Sequence, residues 1–207
     1  MACMKTGLIE VIYGPMFSGK TSELIRQIEM AMISKSEIIA FKPKIDGRYK
    51  KYKICTNNGR SLRSVVVKNS LEIIEVIKKT KKPITKIFID EVQFFDKKIV
   101  DVVTFLSKDK GIGVTVAGLA QDFRGEPFGQ MPNLLGMAQK VQSLTAICVY
   151  EKENGTLCQR PACFTQRLIN GKAASYDSPI ILVDGANSYT ARCEKHWEVP
   201  NRPETKL

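Results

Sequence analysis

The stretch Leu8-Ile9-Glu10-Val11-Ile12-Tyr13-Gly14-Pro15-Met16-Phe17-Ser18-Gly19-Lys20-Thr21 decides how the rest of the chain is read. Its first six residues are apolar apart from Glu10 and stop at a glycine, the pattern of a buried strand feeding a turn. The next eight, Gly14, Pro15, Met16, Phe17, Ser18, Gly19, Lys20 and Thr21, satisfy G-x-x-x-x-G-K-[ST] at every fixed position. That spacing serves phosphate. Main-chain N–H groups of such a loop converge on phosphate oxygens, and glycine permits the close approach. A helix expected from about Gly19 to Ile33 adds its positive N-terminal end. Lys20 then reaches the β- and γ-phosphates, and the Thr21 hydroxyl sits on Mg²⁺.

Outward from this loop, strand-like and helix-like segments alternate. Ile38 to Phe41 and Val65-Val66-Val67 read as strands, and Leu71 to Ile77 has helical spacing of apolar residues. Ile84 to Asp90 is apolar and ends in acids, Ile99 to Leu106 is helix-like, and Val114 to Leu119 is a further strand. Such alternation predicts an α/β fold, a mainly parallel sheet flanked by helices of the P-loop NTPase type. In Ile87-Phe88-Ile89-Asp90-Glu91 an apolar strand ends in two carboxylates. That is the Walker B arrangement, with Asp90 beside the metal as an outer-shell partner. Glu91 is left for a second task, and a carboxylate beside transferred phosphate suits a general base.

The 207 residues correspond to one large domain, or to one domain with a small appendage. Hydrophobic residues make 43% and charged residues 26%, which argues against a disordered tail protein. No apolar run reaches the ~18 residues of a membrane helix, and the N-terminus lacks the signal-peptide pattern, so a soluble cytoplasmic chain is expected. The net charge of +11 admits nucleic acid, an anionic membrane face or a phosphorylated ligand. Its densest runs, Lys50-Lys51-Tyr52-Lys53 and Lys78-Lys79-Thr80-Lys81-Lys82, lack the interleaved aromatics that stacking on bases needs. Solvated helix ends and loops account for them better, and neither nucleic acid nor membrane is the expected partner.

Around Ser143 the pattern changes. Helical periodicity fades, glycines and prolines appear, and Cys148, Cys158, Cys163 and Cys193 gather with the sole histidine, His196. The expected organisation is a nucleotide-binding domain over residues 1–142 and a small loop-rich module over 143–207. In a chain with no secretory signature, clustered cysteines suggest a metal before a disulfide. Cys193-Glu194-Lys195-His196 is a C-x₂-H pair, an ordinary Zn²⁺ half-site.

The phosphate loop, Asp90-Glu91-Val92-Gln93-Phe94-Phe95 and Gly118-Leu119-Ala120-Gln121-Asp122-Phe123-Arg124-Gly125-Glu126-Pro127-Phe128-Gly129 together resemble the cytosolic-type (type II) thymidine kinases. The likeness continues through Thr165-Gln166-Arg167-Leu168-Ile169-Asn170-Gly171 to Tyr189-Thr190-Ala191-Arg192-Cys193, so it covers nearly the whole chain in order. The short chain resembles bacterial rather than animal members.

The resemblance implies transfer of the ATP γ-phosphate to the 5′-hydroxyl of thymidine, giving thymidine monophosphate and ADP, a salvage reaction. Glu91 falls on the family's catalytic base. Asp46, Arg48 and Gln93 join the phosphate loop and Asp90 on the nucleotide and metal side. Met16, Phe94, Leu119, Phe123, Phe128 and Thr165 match positions around the thymidine; read without the family, these aromatics would be core packing. A nucleoside-covering segment corresponds to Ile180, Ile181, Leu182, Val183 and Asp184, with Tyr189 near the sugar or base. Asp184 replaces a glycine usual in relatives, and Ala120 replaces an acid. A small lobe with structural Zn²⁺ is implied too. There the tight C-x-x-C of relatives is absent, and aligning Pro161-Ala162 and Thr165-Gln166-Arg167 with the family puts Cys158, not Cys163, on the ligand position. The implied ligand set is Cys148, Cys158, Cys193 and His196, joined by a hairpin through Asn154-Gly155. A homotetramer and feedback inhibition by thymidine triphosphate follow from the resemblance alone.

Two other classes compete. A P-loop ATPase acting on nucleic acid explains charge and zinc but not the Asp122–Gly125 block or the aliphatic run before Tyr189. A non-catalytic nucleotide switch leaves Glu91 beside Asp90 without a purpose.

Overall fold

The computed structural model describes residues 7–44, 53–55, 61–181 and 188–204. Asp46, Arg48, Leu182, Val183, Asp184 and Cys3 lie outside them.

Strand β1 (Ile9–Tyr13) runs into the phosphate loop and helix α1 (Lys20–Ile33). Then come β2 (Ile38–Pro43), a short hairpin of β3 (Lys53–Cys55) and β4 (Ser61–Arg63), β5 (Val65–Val67), α2 (Ser70–Lys78) and β6 (Lys86–Ile89). Helix α3 (Ile99–Thr104), β7 (Gly113–Gly118), α4 (Met131–Met137) and β8 (Lys140–Ser143) complete the larger part. Six strands pair in the order β5-β2-β6-β7-β1-β8, every neighbour parallel. Parallel neighbours need crossovers, and the helices supplying them cover both faces of the sheet.

Side-chain alternation along the strands sorts the two faces. Ile12, Ala40, Phe88 and Ala117 point to one side and pack under Leu24, Ile25 and Ile28 of α1. Ile9, Val11, Phe41, Ile87, Ile89, Val114 and Val116 point to the other, against Ile73 of α2 and Ile99, Val102 and Val103 of α3. Each such fully buried aliphatic contributes roughly 1.5–3 kcal/mol. Glu10, which breaks the apolar run of β1, is buried but satisfied: Gln27 Nε2 and Lys140 Nζ donate to it at 2.8 and 2.7 Å.

The expected strands and helices around this sheet are present within a residue or two. Three features differ. Helix α3 continues past Thr104 as a π-helical turn over Phe105–Asp109. The wider turn lets Ser107 exchange hydrogen bonds with Gly7: its carbonyl accepts the Gly7 N–H and its hydroxyl donates to the Gly7 carbonyl. Helix α4 has no counterpart in the sequence reading, although Pro132 in its first turn and Gly136 near its end are ordinary boundary residues. Strand β8 is Lys-Val-Gln-Ser, mostly exposed at the sheet edge, and so lacks the apolar signature of a buried strand.

Past Ser143 the strands are short. β9 (Ala146–Ile147) pairs antiparallel with β10 (Pro161–Ala162). β11 (Phe164–Ile169) pairs with β12 (Lys172–Ala173) on one side and β13 (Tyr189–Arg192) on the other. Among the described residues no helix is long and apolar enough to cross a membrane.

Candidate active site and metal cluster

Parallel strands bring their C-terminal ends to one edge, where ligands of open α/β sheets bind. Three of the expected motifs meet there. Gly14 follows β1, Asp90 follows β6 and Leu119 follows β7, and these strands are neighbours. Gly19 precedes α1 with φ 84°, a left-handed conformation that an L side chain adopts only at a cost, in a place with nothing within 4 Å of an added Cβ. The requirement is therefore conformational, not steric. Lys20 is buried beneath the loop, and its ammonium donates to the Pro15 carbonyl at 2.7 Å. Burial lowers its pKa, while Glu91 and Asp90 pull it back up. Ser18 Oγ, inside the loop, is buried without a hydrogen-bond partner among the described residues. An orphaned hydroxyl beside a buried cation fits a loop built for phosphate oxygens.

Asp90 is buried at the end of β6. Its Oδ2 lies 3.5 Å from Thr21 Oγ1, and its Oδ1 accepts the Glu91 N–H at 3.0 Å. Burial first, then the neighbouring Glu91 charge, pushes its carboxyl up to about 7. A divalent cation between Thr21 and Asp90 answers both causes, so this pair fits Mg²⁺. Glu91 takes a left-handed backbone, φ 52° and ψ 43°, uncommon for a residue with a side chain. Such strain concentrates at functional positions. Gln93 holds its carboxylate: Nε2 donates to Glu91 Oε2 at 2.5 Å, and Oε1 accepts the Leu119 N–H at 3.1 Å. Each end of that buried amide thus makes one bond within the protein, linking Glu91 to the end of β7.

The aromatic positions gather beside this edge. Phe94 and Phe128 meet edge to face at 5.3 Å. Phe123 is fully packed, with the Arg167 guanidinium 5.3 Å from its ring centre. Thr165, on β11, accepts the Met16 N–H through Oγ1 at 3.0 Å, tying the phosphate loop to a residue 149 positions away. Arg167 is buried on the same face of β11, makes no ion pair among the described residues and donates to the Pro179 carbonyl, just before the exposed Ile180 and Ile181. Tyr189 on β13 stands opposite Arg167. Gln166, facing the other way, clamps Glu198 by both backbone groups at 2.9 Å. Gln166 and Arg167 carry no legible role in the sequence because buried polar residues on a short strand have no periodic signal, and Trp197 carries none because its partner Phe123 is 74 positions away.

The second constellation lies in the lobe. Cys148, Cys158, Cys193 and His196 place one ligand atom each within 4.8 Å of all the others. The spacings are Cys158 Sγ to Cys193 Sγ 3.8 Å, and His196 Nδ1 to Cys148 Sγ 3.6 Å and to Cys193 Sγ 3.5 Å. A tetrahedral Zn²⁺ with ordinary bond lengths requires roughly 3.8 Å between sulfurs and roughly 3.6 Å between sulfur and nitrogen. The cluster fits zinc without adjustment. Cys163 is exposed and stands apart from it. Burial raises the Cys148 thiol, but backbone hydrogen bonds at Cys193 and Tyr150, with His196 beside it, overcome that and hold it at about 6, towards the thiolate a metal needs.

The hairpin that carries Cys158 to Cys148 runs through Asn154-Gly155, in a loop one residue longer than that dipeptide. Gly155 N–H donates to the Lys152 carbonyl and Lys152 N–H to the Thr156 carbonyl, so the loop is Glu153-Asn154-Gly155 with Gly155 at φ 75°. That is the three-residue hairpin with a left-handed glycine at its end.

A family model described as thymidine kinase matches residues 7–197. The chain belongs to the thymidine kinase family. It is a kinase of the nucleotide-binding kind, and its family's reaction is the phosphorylation of thymidine. The match spans both constellations, so the sheet edge and the cysteine lobe belong to one family unit.

Proposed function

We propose that this chain transfers the γ-phosphate of ATP to the 5′-hydroxyl of thymidine at the C-terminal edge of the sheet, with Glu91 as general base. The observation that carries this reading is the meeting of Lys20, Thr21, Asp90 and the Gln93-held Glu91 at one edge, in a member of the thymidine kinase family. The phosphate loop from Gly14 to Thr21 cradles the phosphates, and Lys20 neutralises them. Thr21 and Asp90 would hold Mg²⁺, which supplies charge neutralisation on the phosphates. Glu91 takes the proton of the 5′-hydroxyl as its oxygen attacks, and Gln93 fixes the carboxylate's direction. Gln93 therefore acts as a positioning residue, and its second Nε2–H is left for the nucleotide side that the family resemblance gives it. Met16, Phe94, Leu119, Phe123, Phe128, Thr165 and Tyr189 surround the nucleoside, with Ile180 and Ile181 at its open side. Asp46, Arg48, Leu182, Val183 and Asp184 keep the roles that the family resemblance gives them.

The Cys148, Cys158, Cys193, His196 cluster holds structural zinc. Four protein ligands leave no open position for chemistry. Residues 1–142 serve the nucleotide and 143–207 form the lobe. Family kinship further supports a cytoplasmic homotetramer inhibited by thymidine triphosphate; light scattering and inhibition assays test those two points. The central experiment measures ATP turnover with thymidine, with single-stranded DNA and with neither. Turnover that depends on thymidine alone is the expected result, and stimulation by DNA instead refutes it.

A further inference from the structure

Trp197 is the sole tryptophan of the chain, and it directly follows the ligand His196. Its indole Nε1–H donates to the Phe123 carbonyl at 3.1 Å, across 74 positions of sequence. One further contact joins it to the same loop: a Cβ added at Gly125 would stand 2.7 Å from the indole ring, so that loop lies directly on it. Gly125 also sits at φ 77°, so a side chain there is strained on both counts. The ring itself is fixed, stacked on Phe164 of β11 at 4.4 Å and 15°, with the Arg202 guanidinium 5.3 Å from its centre.

The loop it touches is internally stiff. The buried Asp122 carboxylate accepts the Arg124 and Glu126 N–H groups at 2.8 and 3.2 Å and pairs with the Arg124 guanidinium at 2.8 Å. A loop braced in this way moves as a unit, so a hold on the Phe123 carbonyl and on Gly125 is a hold on the Phe123 ring. Arg167 grips that ring independently. Residues 196, 197 and 198 are thus fastened in succession to the cluster, to the Phe123 loop and to Gln166 of β11. The Glu194–His196 turn has no side-chain cap of its own, so the cluster residue His196 and the ring that holds Phe123 are adjacent on one short segment tied down at both ends.

We propose that Trp197 is a positioning residue that couples occupancy of the Cys148, Cys158, Cys193, His196 cluster to Phe123, and through it to thymidine affinity but not to ATP. This rests on the proposed place of Phe123 beside the thymidine, as a buried ring that backs the site. It gives the lobe a task in the reaction beyond its own folding.

The test is Trp197→Phe in the zinc-loaded protein, which keeps an aromatic ring on Phe164 and deletes the donor together with the outer ring edge that faces Gly125. Zinc content should equal the parent's, thymidine KM should rise roughly 3- to 10-fold, the range of one lost hydrogen bond, and ATP KM should stay. Amide exchange over residues 122–126 should quicken, and it should quicken likewise in the parent after chelation. Unchanged exchange in Trp197→Phe overturns the coupling, whatever the kinetic assay gives. Faster exchange with an unaltered thymidine KM overturns the role of Phe123 in affinity, and loss of zinc shows that the ring serves the cluster's fold instead. A parent that does not turn over thymidine overturns the proposed function, and the exchange data still decide the coupling.

Discussion

The proposed phosphate loop occupies positions 14–21 in a single run, whereas the cysteine–histidine cluster collects its four residues from 148, 158, 193 and 196. The first works mainly through main-chain groups, so its conformation is written locally: two glycines, a lysine and a hydroxyl at fixed spacing between a strand and a helix. The second works through side chains, and its geometry exists only once β9, β10 and β13 have packed. A contiguous site survives changes elsewhere. A collected site fails when any contributing segment shifts, and it can therefore report on the fold around it.

The widest expected separation between the two regions is in rate. Glu91→Gln keeps shape and leaves the phosphate loop untouched, so ATP binding should persist while kcat falls ~10²–10⁴-fold, the usual contribution of a general base. Stopped-time assays of thymidine phosphorylation beside nucleotide titration measure both. Near-parental kcat in a folded Glu91→Gln protein breaks the base assignment, and with it the claim that chemistry belongs to the sheet edge alone.

Removing a ligand tests the lobe. Cys158→Ser should lose its zinc, because a three-ligand remnant no longer closes the tetrahedron, and should unfold at lower temperature as metal binding energy is lost from folding. Cys163→Ser, exposed and outside the cluster, should retain both. Metal analysis and thermal denaturation of the two variants decide it. Full zinc occupancy in Cys158→Ser excludes this ligand set.

The sequence was most readable where function is local. Gly14 to Thr21, the acid pair at Asp90-Glu91 and the alternating apolar strands are visible because periodicity and spacing act over a few residues. The C-x₂-H spacing of Cys193 and His196 is visible for the same reason. Cys158 over Cys163 was not, since either satisfies a cysteine count, and only family alignment favoured one. Several details escaped altogether, helix α4 among them. The edge strand β8 has too little apolar character, the Gln93 bridge between Glu91 and Leu119 spans 26 positions, and the Thr165 contact with Met16 spans 149. No window of sequence contains both partners of such a bond.

That last bond is the direct seam between the two regions. Thr165→Val removes the acceptor of the Met16 N–H with little change of volume and leaves a loop donor unpaired, at a cost of about 1–3 kcal/mol. ATP and thymidine KM should both rise, roughly 5-fold or more, and Thr165→Ser should restore them. Steady-state kinetics of the three proteins measure this. Parental constants in Thr165→Val make this seam incidental and leave Trp197 as the link between the two regions.

The finest comparison uses one substitution in two places. Gly19 and Gly155 both adopt left-handed backbones, φ 84° and φ 75°, and neither has an atom within 4 Å of an added Cβ. An alanine at either therefore meets the same backbone penalty, about 1–2 kcal/mol, with no steric term to confuse it. Melting temperatures should fall by similar, small amounts. The functional consequences should differ. At Gly19 the strained turn sets the loop's main-chain N–H groups on phosphate, so relieving the strain by local rearrangement costs ATP affinity. At Gly155 it closes a hairpin whose tip lies three residues from Cys158, and a small shift there is absorbed before the sulfur moves. Gly155→Ala should keep its zinc and both KM values, while Gly19→Ala should raise the KM for ATP alone. Equal kinetic loss in the two variants would mean that the hairpin, and not only its cysteines, is coupled to the sheet edge.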